Sequence, residues 1–244
     1  RMDYVAAATN NLGYVEAVEK LMQVEVPRRA LYLRTVLAEL QRIASHCLWL
    51  GTHAMDIGAM TVLLYAFRER EFVLDLFEEF CGARLTYNSM RVGGLPLDIP
   101  PGWDTKVLSF CDLMEGKLNE YETLLTNNRI WLQRTRNVGV ISGEEATNLG
   151  LCGPPLRGSG VSRDLRKDEP NAAYSEFDFD VPLGTHGDTY DRYLIRMDEF
   201  RESIRIIRQA VEGLPEGPVM GKVPRLLKPP AGETYHAIES PKGE

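Results

Sequence analysis

Residues that build metal centres and covalent cross-links are scarce in this sequence. The 244 residues include four cysteines, Cys47, Cys81, Cys111 and Cys152, which are widely spaced and form no CxxC or zinc-finger pattern. HExxH and comparable ligand spacings are also missing, so the chain is not predicted to hold a metal ion or an iron–sulfur cluster. So few cysteines in a chain of this length fit a reducing compartment.

Positive charge is also in short supply, with 28 Lys and Arg against 35 Asp and Glu and a net charge of −7. Because binding to duplex nucleic acid requires a basic field, a general nucleic-acid binder is excluded. The remaining proportions, 44% hydrophobic and 26% charged, are those of a soluble globular protein. The chain starts at Arg1 with no apolar signal segment behind it, so we expect a processed or truncated chain without a signal peptide.

Apolar residues at helical spacing predict a mainly α-helical bundle with small β additions. Alternating apolar and acidic residues near 174–181 predict a half-exposed strand. The pattern therefore divides the chain into a bundle core over 1–215, with a β-containing insertion near 172–183, and an extended segment over 216–244. The main helices are predicted over 3–22, 29–50, a stretch through Phe72 that ends at Gly82, 104–125, and 188–214.

Residues 47–67 form the most apolar stretch, with no Lys or Arg and Asp56 as its single carboxylate. Its length could suit a membrane span, but two glycines, His53 and Asp56 near its middle favour a buried helix–turn–helix. Asp56 would then either cap a helix beside Gly58 or be a desolvated carboxylate that handles protons.

Other polar residues allow a plain structural interpretation and a functional one. Glu39, Arg42 and His46 share one helix face, which suits either a surface ladder of ion pairs or a polar chain leading to Asp56. Tyr4 precedes three small alanines, so it could be a core tyrosine or could face a ligand in a pocket. The charged residues at 163–167 favour a loop anchored by ion pairs over an anion site.

A family resemblance adds to this interpretation over essentially the whole chain. The segments that carry it, in order, are RMDYV (1–5), HAMDIGAMT (53–61), FRERE (67–71), RVGGLPLDIP (91–100), TNNRIW (126–131), GDTYDRYL (187–194) and ESPKGE (239–244). They resemble the family of the large quinone-pocket subunit, the D subunit, of NADH–quinone oxidoreductase, the respiratory complex I. The resemblance implies a fold similar to the nickel–iron hydrogenase large subunit, and further family sequence beyond both ends of this chain.

The resemblance also implies roles for four residues. Tyr4 matches the tyrosine that hydrogen-bonds the quinone, and Asp56 matches the aspartate that supports a second headgroup ligand, a histidine upstream of Arg1. Arg1 matches an arginine beside the iron–sulfur cluster of the partner subunit. Thr86 stands where many family members carry a histidine near that cluster, which puts the coupling of cluster reduction to protonation in doubt here.

The implied function is that of a core subunit of a proton-translocating NADH–quinone oxidoreductase. Quinone is the expected substrate, electrons come from the iron–sulfur cluster of a small partner subunit, and NADH is oxidised at a distant subunit. Glu39, Arg42 and His46 become candidates for carrying charge changes toward membrane-arm subunits. We expect a peripheral position on the cytoplasmic face of a bacterial inner membrane or the mitochondrial matrix side, and an inactive chain when isolated.

Two alternatives stay open at this point. The chain could be the large subunit of a related membrane-bound hydrogenase or of another donor:quinone oxidoreductase. A nickel–iron enzyme needs two cysteine pairs, and neither occurs in these residues. The other alternative is a purely structural scaffold that has lost quinone binding, against which the retention of Tyr4 and Asp56 argues.

Overall fold

The fold is mainly α-helical, as predicted. A computed structural model describes residues 3–224 and 226–243, and within these ranges the chain forms nine α-helices and one short 3₁₀ helix, Tyr174–Glu176. The α-helices are α1 (Ala7–Met22), α2 (Arg28–Ile57), α3 (Met60–Cys81), α4 (Trp103–Leu125), α5 (Arg129–Thr135), α6 (Gly143–Asn148), α7 (Gly153–Gly158), α8 (Leu165–Asp168) and α9 (Thr189–Glu212).

Four long helices build the core. They contact one another in the order α2, α3, α4, α9 and back to α2, while α1 packs against α2. Helix α2 is the most enclosed of them, since every residue over 32–47 is buried. A helix surrounded on all sides must place its polar residues against partners in neighbouring elements, and this requirement shapes the site described below.

The second helix extends beyond its predicted end at Leu50. Gly51 does not break it but marks a close approach to α3, because a Cβ atom there would lie 2.9 Å from Leu63 Cδ1 and 3.2 Å from Leu63 Cα. The chain turns after Ile57 and re-enters a helix at Met60, which confirms a helix–turn–helix over the apolar stretch. Among the described residues, no helix combines the length and apolar character that crossing a bilayer requires.

The strand predicted in the insertion is wrong. Tyr174–Glu176 form a 3₁₀ turn, and the residues after it are extended without a neighbouring strand in the described chain. Phe177 and Phe179 are buried against the bundle, while Asp178 and Asp180 are exposed. The alternation in the sequence therefore reflects one extended segment lying along the bundle, because any extended chain places successive side chains on opposite sides.

The segment after α9 is extended and follows the surface of the bundle. The amide of Leu95 donates to Val219 O over 2.8 Å, and the amide of Gly221 donates to Gly93 O over 2.8 Å. The described β pairing in the molecule is confined to isolated bridges such as Gly94 with Met220. Near its end the segment returns to the loop that precedes α1, where it forms one wall of the candidate site.

Candidate functional site

Tyr4 projects from a short, well-anchored loop in front of α1. The loop is held by Asp3, whose side chain accepts a hydrogen bond from the Val5 amide over 3.1 Å, and by Gln41 Nε2, which donates to Val5 O over 2.8 Å. The side chain of Asn10 also donates to Asp3 O over 2.8 Å. The Tyr4 residue itself is 65% exposed, so it is not the core tyrosine of the structural interpretation.

Two cavities meet at Tyr4. The smaller is a narrow cleft of about 10 Å³ that Tyr4 lines together with Gln41, Arg70 and Thr86. The larger is an open cavity of about 930 Å³, and its walls are Tyr4, the adjoining part of α1, Leu48 of α2 and several residues of the segment 235–243. That volume is near the upper end of the range for pockets that hold small organic ligands.

Thr86 lines the same narrow cleft as Tyr4. Thr86 adopts a left-handed backbone conformation with φ of 52° and is exposed at the rim. Arg70 is buried and its guanidinium lies over the Phe67 ring, 5.5 Å from the centroid. Sequence reasoning missed Arg70, because nothing in the run FRERE separates it from Arg68. Arg1 lies outside the described residues.

Asp56 is not where either expectation placed it. It lies in the last turn of α2 and is exposed, whereas the residue that caps α3 is Ala59. The reason is that α2 continues past Leu50, so the apolar stretch is only partly buried. Met55, Met60 and Leu64 are exposed around this turn, and the residues that line the two cavities at Tyr4 do not include Asp56.

The shared face of Glu39, Arg42 and His46 is confirmed, but the surface ladder is wrong. The three residues are fully buried, with exposures of 0%, 0% and 1%. They face α8, α9, the turn at Tyr174 and the terminal segment rather than solvent. The same helix face continues along α2 to His53, seven residues after His46, and to Asp56, three residues further.

Glu39, Arg42 and His46 are part of a buried charge cluster, in which carboxylates and guanidinium groups from α2, α7, α8, α9 and the terminal segment contact one another. Arg196 adjoins it, so four carboxylates face four arginines and the cluster is balanced when His46 is neutral. The members of the charge cluster are Glu39, Arg42, His46, Arg157, Asp164, Arg166, Glu199 and Glu239.

Glu39 occupies one half of the charge cluster. Its carboxylate lies 3.2 Å from Arg42 Nε and 3.3 Å from Arg166 Nη1. The hydroxyls of Tyr174 and Ser203 donate to it over 2.5 and 2.6 Å. Burial opposes the charged form, but the two arginines and the two hydroxyls outweigh it and lower the pKa of the Glu39 carboxyl.

Glu199 occupies the other half. Arg157 Nη2 lies 2.7 Å from Glu199 Oε1, and His46 Nε2 lies 2.7 Å from Glu199 Oε2. Burial opposes the charge of Glu199, but Arg157 prevails and holds its pKa well below the usual range. Burial lowers the pKa of His46 to about 4, against the opposing hydrogen bond. His46 is therefore a neutral imidazole at pH 7 that donates its Nε2–H to a carboxylate.

Glu239 joins the charge cluster to the cavity at Tyr4. Its side chain accepts from Arg157 Nη1 over 2.8 Å and from the Leu165 amide over 3.1 Å. Arg42 donates to the backbone carbonyls of Glu239 and Ser240 over 2.8 and 3.2 Å, and Ser240 lines the larger cavity. A polar chain therefore exists, but it leads to the cavity wall through the terminal segment rather than to Asp56.

The segment 163–167 is anchored by ion pairs, as predicted, but from Leu165 onward it belongs to α8 rather than to a loop. Arg166 Nη2 lies 2.7 Å from Asp164 Oδ2, and both side chains are buried. Over residues 3–224 and 226–243, no group of three or more His, Cys, Asp and Glu side chains is placed to hold a metal ion. The described arrangement places an exposed phenol hydroxyl at an open cavity and buried charged groups behind the cavity wall.

Comparisons with known proteins agree with the resemblance. The family model described as "Respiratory-chain NADH dehydrogenase, 49 Kd subunit" matches residues 56–240. The second D subunit of the NADH-quinone oxidoreductase of Solibacter usitatus is 54% identical over 244 residues, which is 100% of this chain and 66% of the relative.

Two further relatives are similar over the whole chain. The second D subunit of the NADH-quinone oxidoreductase of Thermodesulfovibrio yellowstonii and the D subunit of that of Campylobacter jejuni are each 50% identical, over 273 and 271 residues. These alignments cover 100% of this chain and 68% and 66% of the relatives. The chain thus spans about two thirds of the length of the relatives it matches. It belongs to the family of the respiratory-chain NADH dehydrogenase 49 kDa subunit.

Proposed function

We propose that this chain is a core subunit of a proton-translocating NADH–quinone oxidoreductase and that Tyr4 lies in its quinone-reduction cavity. The observation that carries the proposal is the exposed Tyr4 side chain, held by an anchored loop where two cavities meet, in a chain of this family. Electrons would reach the quinone from an iron–sulfur cluster in a smaller partner subunit, and NADH would be oxidised at a distant subunit.

Tyr4 supplies a hydrogen-bond donor at the point where negative charge develops. Reduction of a quinone to a quinol takes up two electrons and two protons, and charge grows on the carbonyl oxygens as the electrons arrive. A phenol hydroxyl that donates to one of these oxygens binds the reduced form more strongly than the oxidised form, and it can pass on a proton. Leu48, Ala237 and Ile238 give the same cavity an apolar wall for the ring.

Exposed apolar residues near the end of α2 support a contact surface for a partner subunit. Met55, Met60 and Leu64 are exposed on the turn that carries Asp56, and exposed apolar groups of this kind mark contact sites in proteins. We infer that this face is covered in the assembled enzyme by a segment that brings a histidine to Asp56. The carboxylate would then orient that imidazole as the second headgroup ligand, as carboxylates orient imidazoles in other sites. The same covering would complete the cleft at Thr86 and Arg70.

The charge cluster supports a path for charge coupling. Arg42 contacts the cavity wall through the carbonyls of Glu239 and Ser240, and Glu39 and His46 lie behind it. We infer that a charge change at the quinone is felt by Arg42 and passed along α2 toward membrane-arm subunits.

The hydrogenase alternative is not favoured. The similar relatives are, by name, D subunits of NADH-quinone oxidoreductases, and the residues at Tyr4 and Asp56 fit a quinone enzyme. The exposed Tyr4 at an open cavity also argues against a scaffold that has lost quinone binding. We also propose that the fold is similar to that of the nickel–iron hydrogenase large subunit. The subunit would lie peripherally on the cytoplasmic or matrix face of the membrane.

Photolabelling of the assembled complex tests where the quinone binds. We expect a photoreactive quinone analogue to label peptides that contain Tyr4 or residues 235–243, and excess quinone to suppress that label. The same experiment on an Asp56→Asn complex should give weaker labelling of the Tyr4 peptide, because the second headgroup ligand is no longer held. Labelling that quinone does not suppress, or that avoids both segments, would contradict the assigned cavity.

A further inference from the structure

The terminal segment over 239–243 forms a short strap across the cavity at Tyr4. Ser240 and Gly243 exchange two backbone hydrogen bonds of 3.0 Å each, which close a tight turn around Pro241 and Lys242. The start of α7 lies directly behind this turn, since a Cβ atom at Gly153 would come within 2.5 Å of Gly243 Cα. The strap therefore has a defined shape and packs against the start of α7.

One end of the strap is fixed inside the charge cluster. The Glu239 side chain is 2% exposed, and its two oxygens accept from Arg157 and from the Leu165 amide. Its backbone carbonyl accepts from Arg42, which is fully buried in α2. Both partners of the Glu239 carboxylate are hydrogen-bond donors. Glu239 therefore holds the strap only while both of its carboxylate oxygens can accept hydrogen bonds.

The other end of the strap is tied to the loop that carries Tyr4. Lys242 Nζ lies 3.0 Å from Asp3 Oδ1. The same Asp3 side chain accepts the Val5 amide, and Asp3 O accepts the side chain of Asn10. A displacement of Lys242 therefore acts on the residue that precedes Tyr4. This ion pair is partly exposed and contributes little stability by itself, so it does not fix the strap. It links the position of the strap to the loop that carries Tyr4.

We propose that Glu239 is a positioning residue for the quinone site: it holds the 239–243 strap, and Lys242 passes the position of the strap to the Asp3–Tyr4 loop. This inference rests on the proposed function of Tyr4. It makes the shape of the cavity depend on the charge of a side chain that does not itself touch the quinone.

The charged groups that face Glu239 set the direction of its pH dependence. Burial raises the pKa of the Glu239 carboxyl and Asp164 adds to the rise, while Arg157, Arg42 and Arg166 oppose it. Glu239 thus takes up a proton at a higher pH than an ordinary glutamate. Protonation turns one acceptor oxygen into a donor and removes the attraction to Arg157, so the strap should loosen as the pH falls.

The test uses the assembled enzyme with Glu239→Gln, and Glu233→Gln as the matched control because Glu233 is an exposed glutamate of the same segment. We expect the KM for quinone at about pH 8 to rise about fivefold or more in Glu239→Gln, with kcat changed less than about twofold. The wild-type KM should rise as the pH falls from about 8 to 5, and this rise should be absent in the variant. Glu233→Gln should behave as wild type.

A second measurement separates this inference from the proposed function. Amide hydrogen exchange in the assembled complex should be faster over residues 3–10 in Glu239→Gln and in Lys242→Met, and Lys242→Arg should restore it. Unchanged exchange over residues 3–10 would overturn the mechanical link, whatever the quinone kinetics are. Faster exchange with an unchanged quinone KM would overturn the positioning role. The assignment of Tyr4 itself is judged by its own phenylalanine variant, which leaves the strap intact.

Discussion

Replacing Arg157 by methionine is expected to lower the free energy of unfolding by about 3–5 kcal/mol. Arg157 is fully buried and is shared by Glu199 and Glu239 at 2.7 and 2.8 Å, with Asp164 at 3.7 Å. Methionine fills much of the volume but leaves these carboxylates without their common cation. A buried charge left without a partner destabilises the fold by far more than an intact buried ion pair stabilises it. This substitution should therefore be among the most destabilising single changes to the bundle.

Urea unfolding of the purified chain measures this effect, and Arg84→Met is the matched control. Arg84 contacts more carboxylates than most surface arginines, namely Glu71, Asp75 and Glu78, but the three carboxylates are exposed and Arg84 is only half-buried. Exposed pairs contribute little, so Arg84→Met should change the free energy of unfolding by no more than about 1 kcal/mol. Equal effects of the two substitutions would contradict the buried charge cluster as a source of stability.

Acidification from pH 6.5 to 4 is expected to cost about 3 kcal/mol of stability through His46 alone. In the folded chain its pKa is lowered from 6.5 to about 4, chiefly by burial. Between these two values the unfolded chain binds a proton that the folded chain does not. Stability therefore falls as the pH decreases through this window, and His46 contributes no pH dependence above about pH 7.

The control for this prediction is His46→Gln, measured by urea unfolding at several pH values over the same window. A glutamine can still donate a hydrogen bond to Glu199 but does not titrate. The difference in unfolding free energy between wild type and variant should therefore shrink by about 3 kcal/mol from pH 6.5 to 4. The carboxylates of the cluster titrate in both proteins, so their contributions largely cancel in this difference. A constant difference across the window would show that His46 is not the buried neutral imidazole of the structure.

Much of the fold could be predicted from the sequence, because the long helices carry regular apolar stripes. Helices α1, α4 and α9 begin and end within a few residues of their predicted bounds. The extension of α2 could not be predicted, because Gly51 indicates a break until its contact with Leu63 is known. The strand failed for a related reason, since alternation of buried and exposed residues indicates an extended chain but not a neighbouring strand.

The candidate site could be predicted only in part. Spacing places Glu39, Arg42 and His46 on one face, but the partners that bury this face are distant in sequence. Glu199 lies 153 residues after His46, and Glu239 lies 197 residues after Arg42. One signal was present for Glu199, a carboxylate between the apolar residues Met197 and Phe200 of the buried stripe of α9. Nothing in the local sequence indicates that Glu239 enters the core, since it depends on the path of an extended segment.

The most direct test of the central claim is the quinone kinetics of a Tyr4→Phe enzyme in the assembled complex. The substitution removes one hydroxyl from an exposed ring and leaves the charge cluster and the strap in place. We expect kcat/KM for quinone to fall at least about tenfold, as loss of a hydrogen bond to a developing oxyanion implies, while electron transfer from NADH to a water-soluble artificial acceptor is retained. Unchanged quinone kinetics in this variant would contradict the assignment of Tyr4 to the quinone-reduction cavity.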